Sequence, residues 1–419
     1  MIKKTRVNRI DGVIRFTYVS ITAFYPLVFF INYYLVDIPE VSILNGGLIV
    51  NQNVIAQVIA IYVFALCGFF CASRYSIARI KSGGGGFSAS RIPMNRIVLP
   101  KIYVDLFSAC LILFFSINIY INRSSVVDEY IHSGLSSDSS GFVNIRNIID
   151  LLIHELLIVR IVYCAPRERV FGKVDGLIFV AYIALKVITG GRFGIVIFIC
   201  TWLLGYFFVW GRNTNKRQIF LFVFSIFGIL FLTLIFRLKT FDLVKGISYF
   251  GLEYYLSGLS LINSIKFVNL DRAPDFLLFF IDPFVYSFRS FFPFDMSLEM
   301  GRWVASVGTE NFYPKGGALL AGQIFLGSKS YLFIFLYFYF IGCLFGFFSK
   351  SLMSRSQLRQ AISLAGLSVF FFSSFRTEYY LQMTILIKSV FLYNLIAYFV
   401  LMVLANRKNI NGRINHEYT

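Results

Sequence analysis

The stretch YLFIFLYFYFIGCLFGFFS, residues 331–349, decides the fold. It contains no charged side chain and has no polar face. As a helix it would rise about 28 Å at 1.5 Å per residue, close to the roughly 30 Å of a bilayer's hydrocarbon core. A helix that is apolar all round belongs in the core of a large protein or in a membrane, and composition chooses between the two. Of 419 residues, 58% are hydrophobic and only 14% are charged, with a mean hydropathy of +0.73. A soluble domain could not hide that much apolar surface. The expected class is an all-α polytopic membrane protein, one integral membrane domain over residues 1–419.

Immediately upstream of this run the apolar rhythm stops. From Arg237 to Ser330 the chain mixes nine Lys/Arg, eight Asp/Glu, several Gly and Pro and many aromatic residues. A loop this long is functional or disordered, and its apolar content argues against disorder. The expectation is a folded, partly membrane-facing segment that carries the chemistry. Further out, apolar length marks nine more spans, at 16–36, 54–72, 102–121, 146–163, 174–189, 193–210, 219–236, 361–375 and 380–404, ten in all. The fourth is interrupted by Asp150, His154, Glu155 and Arg160, and the fifth ends at Gly190–Gly191.

The net charge of +18 would suit nucleic acid, but its distribution does not. With the N-terminus inside, segments 1–15, 73–101, 164–173, 211–218, 349–360 and 405–419 together hold 23 Lys/Arg, against four in the short outer segments: Arg123, Arg146, Arg192 and Arg376. That is the positive-inside pattern, and it places both termini in the cytoplasm and the long loop outside. The six cysteines, at 67, 71, 110, 164, 200 and 343, avoid the long loop, so no disulfide framework is implied. The basic start, Lys3 to Arg15, runs into an apolar stretch without a small-residue cleavage pattern, and reads as an uncleaved first span. Gly83–Gly86 is followed by no Gly-Lys-Ser/Thr and reads as a linker, not a phosphate loop.

What is missing weakens a metal-dependent sugar transferase and excludes a histidine-based nucleophilic triad in the long loop. No Asp-x-Asp, His-Glu-x-x-His or Gly-x-Ser-x-Gly occurs, and the three histidines (His132, His154, His416) all lie outside the long loop. What the outer face does carry is arginine. Arg192 sits in Thr189-Gly-Gly-Arg-Phe-Gly194, Arg289 in Tyr286-Ser-Phe-Arg-Ser-Phe-Phe-Pro293 and Arg376 in Phe375-Arg-Thr-Glu-Tyr379, with Arg237 and Arg302 as further candidates. A permanently charged planar fork matches phosphate oxygens bidentately, so arginines at one face could clamp a lipid pyrophosphate and stabilise charge developing on it. The ordinary alternative is that each anchors a helix end at the headgroups. Lys186 and Lys388 lie inside apolar spans, where charge is costly. Lys186 is one turn from the outer end and can reach the surface, whereas Lys388 lies about three turns from Arg376. The loop carboxylates, among them Glu253 and Glu299, are candidates for a general base on a sugar hydroxyl or for local ion pairs. Tyr255 and other loop aromatics could stack on sugars or serve as interface belts.

Taken together, the layout resembles the O-antigen polymerases (Wzy), within the oligosaccharide repeat-unit polymerases. The resemblance spans most of the chain in layout. It is carried locally by the Gly-Gly-Arg-Phe-Gly turn at 190–194, by Tyr255-Leu-Ser-Gly258, by Asn311-Phe-Tyr-Pro314 with Gly316, Gly317, Gly322 and Gly327 after it, and by Arg376 before the last span. Family members usually have eleven or more spans. Residues 276–288 or 316–326 are the hydrophobic pieces that would make up the difference by re-entering the membrane.

The resemblance implies a multi-pass protein of the bacterial inner (plasma) membrane in which 237–330 is a periplasmic loop. It implies a glycosyltransferase of lipopolysaccharide biosynthesis. A growing chain would pass from its lipid to the next undecaprenyl-pyrophosphate-linked oligosaccharide, releasing undecaprenyl pyrophosphate, with no nucleotide, metal or other cofactor. Arg289, Arg376, Glu253 and Glu299 would be catalytic, and Arg192, Arg237, Arg302, Lys388, Tyr255 and Asn311 would bind substrate. Partners would be the lipid-linked oligosaccharide, membrane lipids and, as a further candidate, a chain-length regulator protein, with no nucleic acid. The competing readings are a lipid-linked oligosaccharide flippase or other transporter, which would show central charged residues and short loops, and an O-antigen ligase, which differs in its acceptor. A glycan acyltransferase ranks behind them.

Overall fold

The computed structural model describes residues 52–82, 97–121, 141–164, 173–188, 192–205, 228, 328–352, 354, 356–370, 383 and 385–404. Among these residues the chain is helical, with no strand and a single isolated bridge between Leu99 and Cys164. In chain order the helices are α1 (Gln52–Ser82), α2 (Lys101–Ile121), α3 (Gly141–Tyr163), α4 (Lys173–Ile188), α5 (Arg192–Leu204), α6 (Tyr331–Ser351), α7 (Gln357–Ala365) and α8 (Leu386–Leu404). α7 continues as a π-helical turn, Gly366–Phe370, and α8 opens with one, Leu386–Leu392.

Three of them, α2, α6 and α8, are long and apolar enough to cross a membrane, and shorter apolar helices cover Ala56–Ala72 and Gly176–Ile188. The expected spans at 54–72, 102–121, 146–163, 174–189 and 331–349 each coincide with a helix. Those at 193–210, 361–375 and 380–404 are helical over their described parts. The expected spans 16–36 and 219–236 lie outside the described residues, apart from a helical Gly228.

The outward surfaces of these helices are apolar, which suits lipid and not water. On α2, Ile102, Tyr103, Leu106, Phe107, Leu113 and Phe114 are exposed, while Val104, Ser108, Ile112 and Phe115 recur at helical spacing on the inward side.

The chain divides into two compact units. The first unit contains α1 and nearly all of α6. These two helices approach backbone to backbone because neither has a side chain at the crossing. A Cβ on Gly68 would collide with the Phe335 carbonyl oxygen, and one on Gly342 would lie 2.7 Å from both the Phe69 carbonyl oxygen and the Ala72 Cβ. With little hydrophobic driving force between helices in lipid, such small-residue contact supplies the dispersion that holds them. Rings flank it: Phe69 packs on Phe345 at 5.6 Å and Phe64 on Tyr331 at 5.3 Å. α6 is entered through Lys329, which takes a left-handed φ of 51° while the Ser330 N–H donates to the Ser328 hydroxyl.

The second unit contains α2, α3, α4, α5, α7 and most of α8. α3 packs against α2, α5 and α7, and α4 against α2 and α5. Phe198 of α5 sits between Phe179 (5.5 Å) and Tyr182 (4.7 Å) of α4. One end of the unit is tied by polar groups. The Gln357 amide donates to the carbonyl oxygens of Ile97 (2.8 Å) and Val162 (3.3 Å) and accepts from the Ile97 N–H (3.0 Å). Leu99 N–H donates to Tyr163 O. Beside them Arg160 Nη1 lies 3.3 Å from Asp105 Oδ1, and Lys101 Nζ lies 3.8 Å from Asp105 Oδ2. Ser356 caps α7, accepting from Arg359 N–H.

Candidate functional site

α3 carries His154, Glu155 and Arg160 within an apolar run, and of these His154 and Arg160 are buried. His154, near the middle of α3, is buried, and its Nε2 lies 3.1 Å from Thr201 Oγ1 of α5 and 3.4 Å from Ser368 Oγ in the π-helical turn after α7. Each hydroxyl already donates its one proton along its own helix, Thr201 to Ile197 O (2.8 Å) and Ser368 to Leu364 O (2.7 Å). Towards the imidazole both can therefore only accept, which assigns the hydrogen to Nε2 and leaves Nδ1 a bare acceptor. The π turn adds a residue to the helical cycle and so re-aims side chains; Ser368 lies within it.

Glu155, the next residue, is different. Both carboxyl oxygens are sealed from water and accept no hydrogen bond from any described residue. A neutral polar group left so costs about 2–7 kcal/mol, and an ionised carboxylate far more. Tyr163 and Tyr393 lie within electrostatic range of it. The Tyr163 hydroxyl is likewise buried without a bond. Among the described residues no group of three His, Cys, Asp or Glu could hold a metal, and the cysteines are free thiols.

The residues expected to act on substrate are for the most part not described here. Arg237, Glu253, Tyr255, Arg289, Glu299, Arg302, Asn311 and Arg376 all lie outside the described residues. Arg192 is the first residue of α5. Lys388 is half-buried in the π-helical opening of α8 and forms no ion pair with a described residue. Lys186, expected to reach for the membrane surface, is instead only 2% exposed. Its stem lies along the start of α5, where a Cβ on Gly194 would meet Lys186 Cε at 2.9 Å, Nζ at 3.3 Å and Tyr182 Oη at 3.3 Å. The reason is local: only three residues separate the end of α4 from the start of α5, and a glycine at 194 leaves the space.

The polar knot on α3 was only half visible in sequence. His154 and Glu155 stand out in the sequence as interruptions of an apolar run. The partners of His154, 47 and 214 residues away, gave no signal, since a Ser or Thr in an apolar span usually bonds its own backbone. No protein-family model matches the chain, and no curated protein and no solved structure is significantly similar to it.

Proposed function

We propose that the protein is a multi-pass enzyme of the bacterial inner membrane. In this reading it polymerises undecaprenyl-pyrophosphate-linked oligosaccharide repeat units into O-antigen or a similar surface polysaccharide. It spans the bilayer ten times, with residues 237–330 on the periplasmic side. The observation that carries the reading is the Gly-Gly-Arg-Phe-Gly turn. α5 begins at Arg192, so the positive end of a helix dipole, an arginine and the buried Lys186 beside Gly194 belong to one short stretch. Helix N-termini and arginine favour phosphate, and a pyrophosphate leaving group gains most from fixed positive charge as its own charge develops. The topology gains support from residues 97–101, 160–164 and 357, which come together in the second unit and which charge counting assigns to one face.

A specific observation favours a second reading, a lipid-linked oligosaccharide flippase or other transporter. His154 and Glu155 stand near the middle of α3, and central polar groups are a feature of carriers.

The surface glycan of a strain lacking the protein separates these. A single repeat unit on the lipid core supports the polymerase. Loss of all repeats points to the flippase, or to a ligase if polymer accumulates on the carrier lipid. An unchanged ladder removes all three. Within the polymerase reading, Arg289→Ala and Arg376→Ala each abolish elongation while the protein still inserts, and lysine at either position rescues poorly. Normal ladders from both alanine variants at normal expression would sink the clamp.

A further inference from the structure

The most exacting feature of the second unit is an acid with nothing to hold it. Glu155 has both oxygens shut off from water and no hydrogen-bond donor among the described residues. The cation nearest along its own helix, Arg160, is engaged with Asp105 of α2, which also meets Lys101. Lys388 of α8 makes no ion pair with it. α5 and α7 bring the hydroxyls of Thr201 and Ser368, whose protons go to their own carbonyls and whose lone pairs face His154, together with the thiol of Cys200. Among the described residues, the titratable groups within its electrostatic reach are Tyr163 of α3 and Tyr393 of α8, with Tyr398 near Tyr163.

Of the possible occupants, a metal ion lacks further ligands, since no three metal-binding side chains cluster among the described residues. A hydrated cation would need water at the oxygens, and these are sealed. A proton needs neither, and it removes the charge that such surroundings oppose.

We propose that the Glu155 carboxyl is a proton-binding site inside the second unit, cycling between carboxylic acid and carboxylate by exchange with the aqueous phase. The step is simple: hydronium in the aqueous phase gives up one proton and becomes water, protein groups relay the proton to one carboxylate oxygen that water does not reach, and it returns the same way. Two features on the same helix suit such exchange. His154, adjacent in sequence, uses Nε2–H as its donor, which makes Nδ1 the acceptor of the ring. Tyr163, two turns further along, holds a buried hydroxyl without a partner, next to the polar tie formed by Gln357, Ile97 and Leu99. The proposal stands whether the protein polymerises glycans or carries them.

The test is infrared spectroscopy of the full-length protein in lipid vesicles at neutral pH. Wild type should show a carboxylic-acid carbonyl band that is missing from Glu155→Gln, and that band should shift when the vesicles are moved into deuterated water. Absence of a Glu155-dependent band overturns the proposal. So does a band that never shifts, which would make the acid a sealed structural group. If Glu155→Gln does not fold, wild-type protein alone decides. A hydrophobic carbodiimide adds to a buried carboxylic acid, its carbon bonding to the carboxyl oxygen and its nitrogen taking the proton. Peptide mass spectrometry should then find the adduct on Glu155, and its absence there, with other sites modified, overturns the proposal. Neither readout depends on glycan synthesis, so a failure here is distinct from a failure of the polymerase reading.

Discussion

At the scale of the residue, the contrast between neighbours on α3 is instructive. His154 and Glu155 are consecutive polar residues in an apolar run, yet one is satisfied and the other is not. The difference arises from helical geometry, since a 100° step turns the two side chains to different neighbours. His154 meets two hydroxyls that are already committed to carbonyls, so its Nε2–H is the donor that completes the set. Replacing His154 with Ala should therefore leave Thr201 and Ser368 bonded to their own helices while opening a buried polar gap. The expected cost is about 1–3 kcal/mol, read as a lower unfolding midpoint in detergent. Thr201→Val should cost less, because it deletes one of two acceptors. Equal and negligible effects from both would mean that the imidazole ties nothing together. In the sequence, the interruption was legible at positions 154 and 155. The partners were not, because serine and threonine in apolar helices carry no mark of what they face.

At the scale of the element, the helices themselves were the most legible part of the chain. Apolar length set α2 within one residue, and α6 from its first residue. Which helices touch was not legible. α1 and α6 lie far apart in sequence and meet through Gly68 and Gly342, where each lets the other's backbone in. Gly342→Val should force that crossing apart, because its Cβ would already crowd the Phe69 carbonyl and the Ala72 methyl. The expected loss is about 1–3 kcal/mol, in the range of overpacked cores. Thermal unfolding of detergent-purified protein checks it. Gly228, with open space around its Cβ position, is the control expected to tolerate Ala with little change. The π-helical turns were also silent in sequence. In α8, the extra residue frees carbonyls that the Asn394 side chain recovers, donating to Ser389 O and Val390 O at 3.1 Å each. An asparagine in an apolar run gave no hint of that use.

At the scale of the whole molecule, long-range polar ties organise the second unit. Gln357 reaches residues 260 and 195 positions away and supplies hydrogen bonds to the backbone of the segment before α2 and to the last turn of α3. Beside it, the Arg160–Asp105 pair has side chains only 10% and 16% exposed. Truncating either partner takes this buried charge contact away from the other. Arg160→Ala or Asp105→Ala should each cost about 3 kcal/mol, while the double replacement Asp105→Leu with Arg160→Met should cost much less than the sum. Denaturant titration of the four proteins in detergent gives the coupling. Additive effects would show that the pair contributes nothing beyond its separate contacts.

The sequence by itself determined the material of this protein: membrane-length apolar helices, basic residues gathered in short segments between them, and the interruption of α3 by polar side chains. It could do so because length, hydropathy and helical period are local properties, written within each run. Only the tertiary structure decided that α1 and α6 close on paired glycines, that Lys186 folds back against Gly194, and that His154 is answered from two other helices while Glu155 is answered by none. Those outcomes depend on which faces meet. In a chain whose helices are apolar on nearly every side, the pattern that would name the facing side in a soluble protein is absent, and packing makes the choice.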